Sequence, residues 1–317
     1  MNPFATSQQH ILAEMARLDL LIRVQVWRAR QQHPAESAEL PAFYISETEV
    51  DDLLDKPIGA PTWAAIPLPP DMQVSVQSQL DALAATLAQR TTASLEQGIY
   101  LRLVVLAHLF DLATFDIDVL LICLAPELDR RYERLYAYLH DDVTRRCPTV
   151  DLALNLLCPA LETKAAMRHH FDDTAPLRRH HLLSIDADPS QRSPALLGKN
   201  IQLDPRIARY LLDGDEPDAR LQPYLRLLLG NTTVADLPLP AEFKERLRQL
   251  SQAGIERGDL LFYFQGPYGV GKRNASIALC NHLGIRLFYV DGRRLAQLST
   301  AEFETLTRLI CRVSLAA

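Results

Sequence analysis

The chain has 317 residues, enough for two or three domains that each bury a core of their own. Apolar residues make up 48% and charged residues 23%, proportions of a globular protein and not of a disordered or fibrous one. A formal net charge of −6 removes the basic excess that a dedicated nucleic-acid or membrane-surface binder carries.

Reading from the N-terminus, apolar residues recur at helical spacing from about Ser7 to Gln32: Ile11, Leu12, Met15, Leu18, Leu21, Ile22, Val26 and Trp27. Arg17, Arg23, Arg28 and Arg30 take other faces. Such a helix cannot bury its stripe alone, so it packs on its own chain or on a partner, and intramolecular packing is the ordinary case. Ser46 followed by Glu49 forms a capping box for a brief helix to about Leu54, after a short segment at Phe43-Tyr44-Ile45. Pro57, Pro61, Pro67, Pro69 and Pro70 with Gly59 then exclude a helix or central strand, and the stretch reads as an extended linker over a neighbouring surface, anchored by Trp63 and Ile66.

Helices are expected from Val74 to about Arg90, from Leu95 to Leu112, and from Thr114 through Leu124, with Pro126 closing the last or opening the next. Leu128 to His140 carries one stripe of Tyr132, Leu135, Tyr136 and Leu139. Thr149 caps a short helix, Val150 to Leu157, and another follows from Leu161 to Phe171. The period then changes. His181–Ile185 and Leu197–Leu203 read as two strands joined by a polar turn, and helices followed by a hairpin is the order of a winged-helix domain, with the hairpin as its wing. Asp204 to Leu212 returns to helix, and Gly214-Asp215-Glu216-Pro217 reads as a boundary.

Pro217 to Leu229 and Ala241 to Ile255 are expected as helices. Leu260-Leu261-Phe262-Tyr263-Phe264-Gln265 reads as a buried strand, and the glycine-rich Gly266-Pro267-Tyr268-Gly269-Val270-Gly271-Lys272-Arg273 leads into a helix at Asn274–Leu279. Strand, phosphate loop and helix in that order form a nucleotide-site signature. The glycines let backbone N–H groups surround a polyphosphate, the helix N-terminus adds partial positive charge, and Lys272 reaches the β- and γ-phosphates. One position departs from the motif. Arg273 stands where Ser or Thr would hold Mg²⁺, and Ser276 lies a helical turn too far on to replace it. Ile285–Val290 reads as a second buried strand, and Ser299 caps a last helix from Ala301 to about Val313.

Two blocks carry a family resemblance. Leu109–Asp116, continuing through Leu124–Asp129, Leu135–Leu139 and Arg146–Val150, resembles the variant winged-helix domain that precedes the ATPase module in bacterial AAA-type ATPases found with extracellular contractile injection systems. Gly266–Arg273 is similar to that family's phosphate loop. The resemblance implies a cytoplasmic, ring-forming and usually hexameric ATPase that binds ATP with Mg²⁺ and remodels or assembles protein partners, among them injection-system components. It also implies a later acidic strand for Mg²⁺ and water, and an arginine from a neighbouring subunit. None of these is identifiable after Lys272. The chain is therefore expected to be the N-terminal portion of a longer parent, inactive in hydrolysis alone, with the region after Asp259 unstable unless covered.

The expected fold class is multidomain and mainly α: an N-terminal helical region (1–56), a Pro-rich linker (57–73), a helical and winged-helix-like domain (74–214), and the first part of an α/β P-loop module (215–317). Between Ala160 and Gly230 ten basic residues meet ten acidic ones, which disfavours phosphate tracking and makes nucleic acid an unexpected partner. Arg130, Arg131, Arg134, Arg145 and Arg146 alternate with acids as surface ion pairs. His169, His170, His180 and His181 read as packing or solvated histidines without metal-ligand spacing, and no nucleophile signature is present. Cys123, Cys147, Cys158, Cys280 and Cys311 are odd in number and scattered, as in reduced cytosolic proteins. The apolar stretch Leu101–Leu128 is broken by Arg102, His108, Asp111, Asp116 and Asp118, so no membrane span is expected, and the N-terminus shows no secretion signal. A non-catalytic adaptor built on the winged helix is the alternative function.

Overall fold

A computed structural model describes residues 2–32, 54, 58–59, 66–187, 195–214, 218–257 and 261–315. The segments read at Phe43–Ile45 and Ser46–Asp52, and Trp63, lie outside the described residues. The chain divides into two compact units, Met1–Glu216 and Pro217–Ala317.

In the first unit, α1 (Ser7–Gln32) buries Ile11, Met15, Leu18 and Ile22, the stripe read from the sequence. It packs on α2 (Pro70–Glu96), α4 (Thr114–Leu128) and α5 (Arg131–Leu139), so α1 shares one core with helices that the sequence reading placed in a separate domain. Helix α2 starts on Pro70, whose fixed φ suits the first helical position, and runs on to Glu96 instead of ending near Arg90. Its buried Ser94 explains part of that length: the hydroxyl donates to the Arg90 carbonyl and accepts the Phe4 N–H at 2.8 Å, tying the N-terminus to the helix. Gly98, at φ 71°, then turns the chain, and α3 (Arg102–Leu109) follows, so the helix read from Leu95 to Leu112 is in fact two pieces.

Helix α4 is buried continuously from Val119 to Ala125 and forms the centre of the unit. Pro126 neither closes nor opens a helix; it lies inside α4. Lacking an N–H, it cannot bond the Ile122 carbonyl one turn back. The Tyr136 hydroxyl from α5 donates to that carbonyl instead, at 2.8 Å, and both residues are fully buried. Burial raises the Tyr136 pKa well above the usual phenol range, keeping the donor protonated. Tyr136→Phe leaves the carbonyl unsatisfied and is expected to cost about 1–3 kcal/mol, read as a lower denaturation midpoint; an unchanged midpoint would remove this role.

The winged-helix order follows. Thr149 caps α6 (Val150–Leu157) by accepting the Leu152 N–H at 3.1 Å, as expected. α7 (Leu161–Met167) continues as a 3₁₀ turn through Phe171, and α8 (Pro176–Arg179) leads into the hairpin. β1 (Leu183–Asp186) and β2 (Asn200–Leu203) pair antiparallel, Leu183 opposite Leu203; β2 lies within the stretch read as a strand and β1 runs one residue past its own; residues 188–194 of the turn lie outside the described residues. A third short arm completes the wing sheet: Thr149 bridges Asn200, and the Ile201 N–H donates to the Pro148 carbonyl at 2.9 Å. α9 (Pro205–Leu211) closes the unit, capped by Asp204.

The second unit corrects the sequence reading at three points. Residues 218–229 are not a helix: a 3₁₀ turn at Ala219–Leu221 leads to strand β3 (Leu225–Leu228). Leu261–Gln265 is extended but not a strand, with Leu261 and Tyr263 pointing to solvent while Phe262 and Phe264 pack on Val234, Leu237, Leu247, Ala278 and Leu279. β4 (Leu287–Val290) lies in the second predicted strand, yet pairs antiparallel with β3, Leu225 opposite Val290. The parallel sheet of a P-loop module is therefore not formed among the described residues, whose two sheets are two-stranded and antiparallel. Packing gives the reason: in this pairing Leu225 and Val290 join Leu221, Phe288 and Leu309 in a core, burial that the Leu261 and Tyr263 side of the extended segment lacks. Helices α10 (Ala241–Arg257), α11 (Lys272–Leu283), α12 (Gly292–Leu295) and α13 (Thr300–Leu315) complete the unit, and Ser299 with Glu302 forms a capping box for the last.

Candidate functional site

The eight residues read as a phosphate loop lie at the start of α11. Gly269 and Gly271 have φ of 86° and 91°, and a Cβ at either would meet no heavy atom within 4 Å. The demand for glycine there is thus conformational, not spatial: left-handed backbone bends the chain into the helix start. Tyr268 and Val270 at the bend, with Gly266 and Pro267 before it, are exposed. Helix α11 begins at Lys272 with no acidic side chain in its first turn. The Lys272 ammonium folds back across the loop and donates to the carbonyls of Gly266 at 2.6 Å and Pro267 at 2.9 Å. Lysine, loop and helix start therefore lie together, with the ammonium held by loop carbonyls, while the strand that should precede a phosphate loop is not formed at Leu261–Gln265.

Arg273 follows the lysine and reaches β4. It is exposed, and its guanidinium carbon stands 4.9 Å from the centroid of the Tyr289 ring on β4. Tyr289 was not legible as a site residue, because the strand carrying it was expected to lie in a parallel sheet. Arg226, directly opposite Tyr289 in the β3–β4 register, was likewise hidden by reading its segment as a helix.

Mg²⁺ finds no matching donors here. The hydroxyl position is a cation, and the Ser276 hydroxyl donates to the Lys272 carbonyl at 3.1 Å, pointing back along the helix. Asp291, at the end of β4, caps α12 by accepting the Arg293 and Arg294 N–H groups. Among the described residues no group of three His, Cys, Asp or Glu side chains stands close enough to hold a metal ion.

Several cations of the winged-helix unit are engaged. Lys164 on α7 is buried and donates to Asn155 and, at 2.6 Å, to the Gly59 carbonyl, so the Pro-rich segment lies against this helix at residues 58–59. Arg145 pairs with Asp142 and Arg130 with Glu133, both at 3.5 Å, and Arg131 with Asp129 at 3.6 Å, as the alternation of charges suggested, while Arg131 also reaches Asp19 on α1 at 2.8 Å. His170 bonds the buried Asp116 at 2.8 Å and packs at a tilt against Phe115, while His180 packs on Phe110. These histidines serve packing, and the His169 ring lies tilted against that of His170.

The sequence model of the family described as winged helix domain, variant, matches residues 1–225. The chain belongs to that family. The match takes in all of the first unit and runs to the first residue of β3; it begins at residue 1, well before Leu109, the first residue of the resembling blocks, in keeping with the place of α1 in the core. No curated protein and no solved structure matches the chain. Membership of the variant winged-helix family is consistent with a protein- or nucleic-acid-interaction role, and no described helix is long and apolar enough to cross a membrane.

His140, at the end of α5, gives this winged-helix unit a pH dependence. Burial is the largest influence and lowers its pKa below 6.5, against the hydrogen bond to the Cys147 carbonyl at 3.2 Å, which favours the charged form. The unfolded chain then binds a proton more readily than the folded one. Stability attributable to His140 is present above the unfolded pKa of about 6.5 and falls as the pH drops through and below it. Thermal midpoints between pH 7 and pH 5 are expected to fall less steeply in His140→Gln than in the wild type; parallel profiles would contradict this.

Proposed function

We propose that this chain is part of an ATP-binding protein of the AAA type, in which the winged-helix unit recognises a protein partner and Gly266–Arg273 binds the nucleotide phosphates. One observation carries the reading: two cations, Lys272 and Arg273, open the 12-residue helix α11 behind two left-handed glycines. Cations at a helix N-terminus oppose the macrodipole at a cost of about 0.3–1 kcal/mol each. A polyphosphate in the loop would reverse the sign of that interaction, since its charge attracts both the cations and the helix start. The two carbonyls that hold the Lys272 ammonium would then be exchanged for phosphate oxygens.

The resemblance of Leu109–Val150 and Gly266–Arg273 to injection-system AAA-type ATPases supports a ring of copies, six in that family, that assembles or remodels protein components of such particles. Protein is favoured over DNA because the basic residues between Ala160 and Gly230 are matched by acidic ones, and Lys164 on α7 is turned inward against the Gly59 carbonyl. This chain is proposed to bind ATP, and the resemblance assigns hydrolysis to a longer parent. A second reading, a non-catalytic adaptor, is favoured by the Arg273 position itself, and in it partner binding would be indifferent to nucleotide.

Titration with ATP by calorimetry, beside a mobility-shift assay with mixed-sequence DNA at low salt, tests the proposal. Saturable ATP heat and no DNA shift are expected. A salt-sensitive shift without ATP heat would replace the proposal with DNA binding.

A further inference from the structure

A phosphate loop ordinarily places a hydroxyl after its lysine so that Mg²⁺ can bridge the phosphates. This loop places Arg273 there, and the nearest hydroxyl on the helix, Ser276, is committed to the Lys272 carbonyl. We propose that the site takes a nucleoside polyphosphate free of metal, with the Arg273 guanidinium supplying the countercharge that Mg²⁺ would otherwise supply. The inference rests on the nucleotide reading above and deepens it.

The geometry around Arg273 suits that task. The Tyr289 ring holds the guanidinium through its face, which orients the fork without neutralising it. Among the described residues no carboxylate pairs with Lys272 or Arg273, whose recorded partners are two loop carbonyls and an aromatic ring. Arg226 is the cross-strand partner of Tyr289, and directly opposed side chains share one face of a sheet, so a third cation stands on the Tyr289 side of the β3–β4 ribbon. A guanidinium presents planar paired donors that match two phosphate oxygens at once. A second cation beside the hydroxyl position would also repel Mg²⁺ through like charge.

The experiment is calorimetric titration of the whole chain with ATP in EDTA and again in excess Mg²⁺. The wild type is expected to bind in EDTA at least as tightly as in Mg²⁺. Arg273→Thr restores the hydroxyl and removes the charge; its affinity in EDTA is expected to fall about tenfold or more, the loss of one charge-assisted contact, and to recover in Mg²⁺. Binding by the wild type that is lost in EDTA and restored by Mg²⁺ would overturn the inference while leaving the nucleotide reading intact. Absence of ATP binding in both conditions would overturn both. The wild-type comparison needs no variant, so the inference can fail even if Arg273→Thr does not fold.

Discussion

Ile22→Ala lowers the stability of the first unit by about 2–5 kcal/mol, the ordinary cost of emptying a buried aliphatic site. Ile22 is 2% exposed and lies in the same cluster as Leu120, Tyr136 and Leu211, so its loss opens a cavity among helices far apart in sequence. Leu12 on the same helix is 60% exposed, and Leu12→Ala should change stability by no more than about 0.5 kcal/mol. Urea unfolding of the two variants side by side checks this, because equal midpoints would place α1 outside the core. The contrast matters because residues 1–32 could have been a detachable arm that packs on a partner. Their position in the core makes them part of the winged-helix unit.

The first unit was largely legible because its signals are local. Helical spacing from Ile11 to Ile22, the Thr149 cap and the shift to short strands after His181 each depend on neighbours in sequence. Pro126 was not legible: a proline breaks a helix unless something replaces its lost hydrogen bond, and the replacement, Tyr136, lies on the next helix. The second unit failed for a related reason. Leu225–Leu228 is an apolar run whose state is decided by pairing with Leu287–Val290, some sixty residues away, so periodicity alone could not separate strand from helix. That misreading hid the placement of Tyr289 beside Arg273 and opposite Arg226, whereas the glycines, Lys272 and Arg273 were named as candidates from the sequence.

Lys272→Ala should weaken ATP binding by about ten- to a hundredfold, since it removes a charged partner of the phosphates, a loss of about 1.5–3 kcal/mol. The fold should survive, because Lys272 bonds only two carbonyls of an exposed loop and lies outside both hydrophobic clusters of its unit. Lys272→Arg is expected to bind more weakly than the wild type but better than the alanine variant, retaining charge without the lysine's reach into the loop.

The most direct measurement is calorimetric titration of the wild-type chain and Lys272→Ala with ATP, with thermal melts of both to establish that they are equally folded. Saturable binding by the wild type, lost or weakened at least tenfold in the variant, is the predicted result. Equal affinities in two equally stable proteins, or no binding by the wild type, would contradict a phosphate site at Gly266–Arg273.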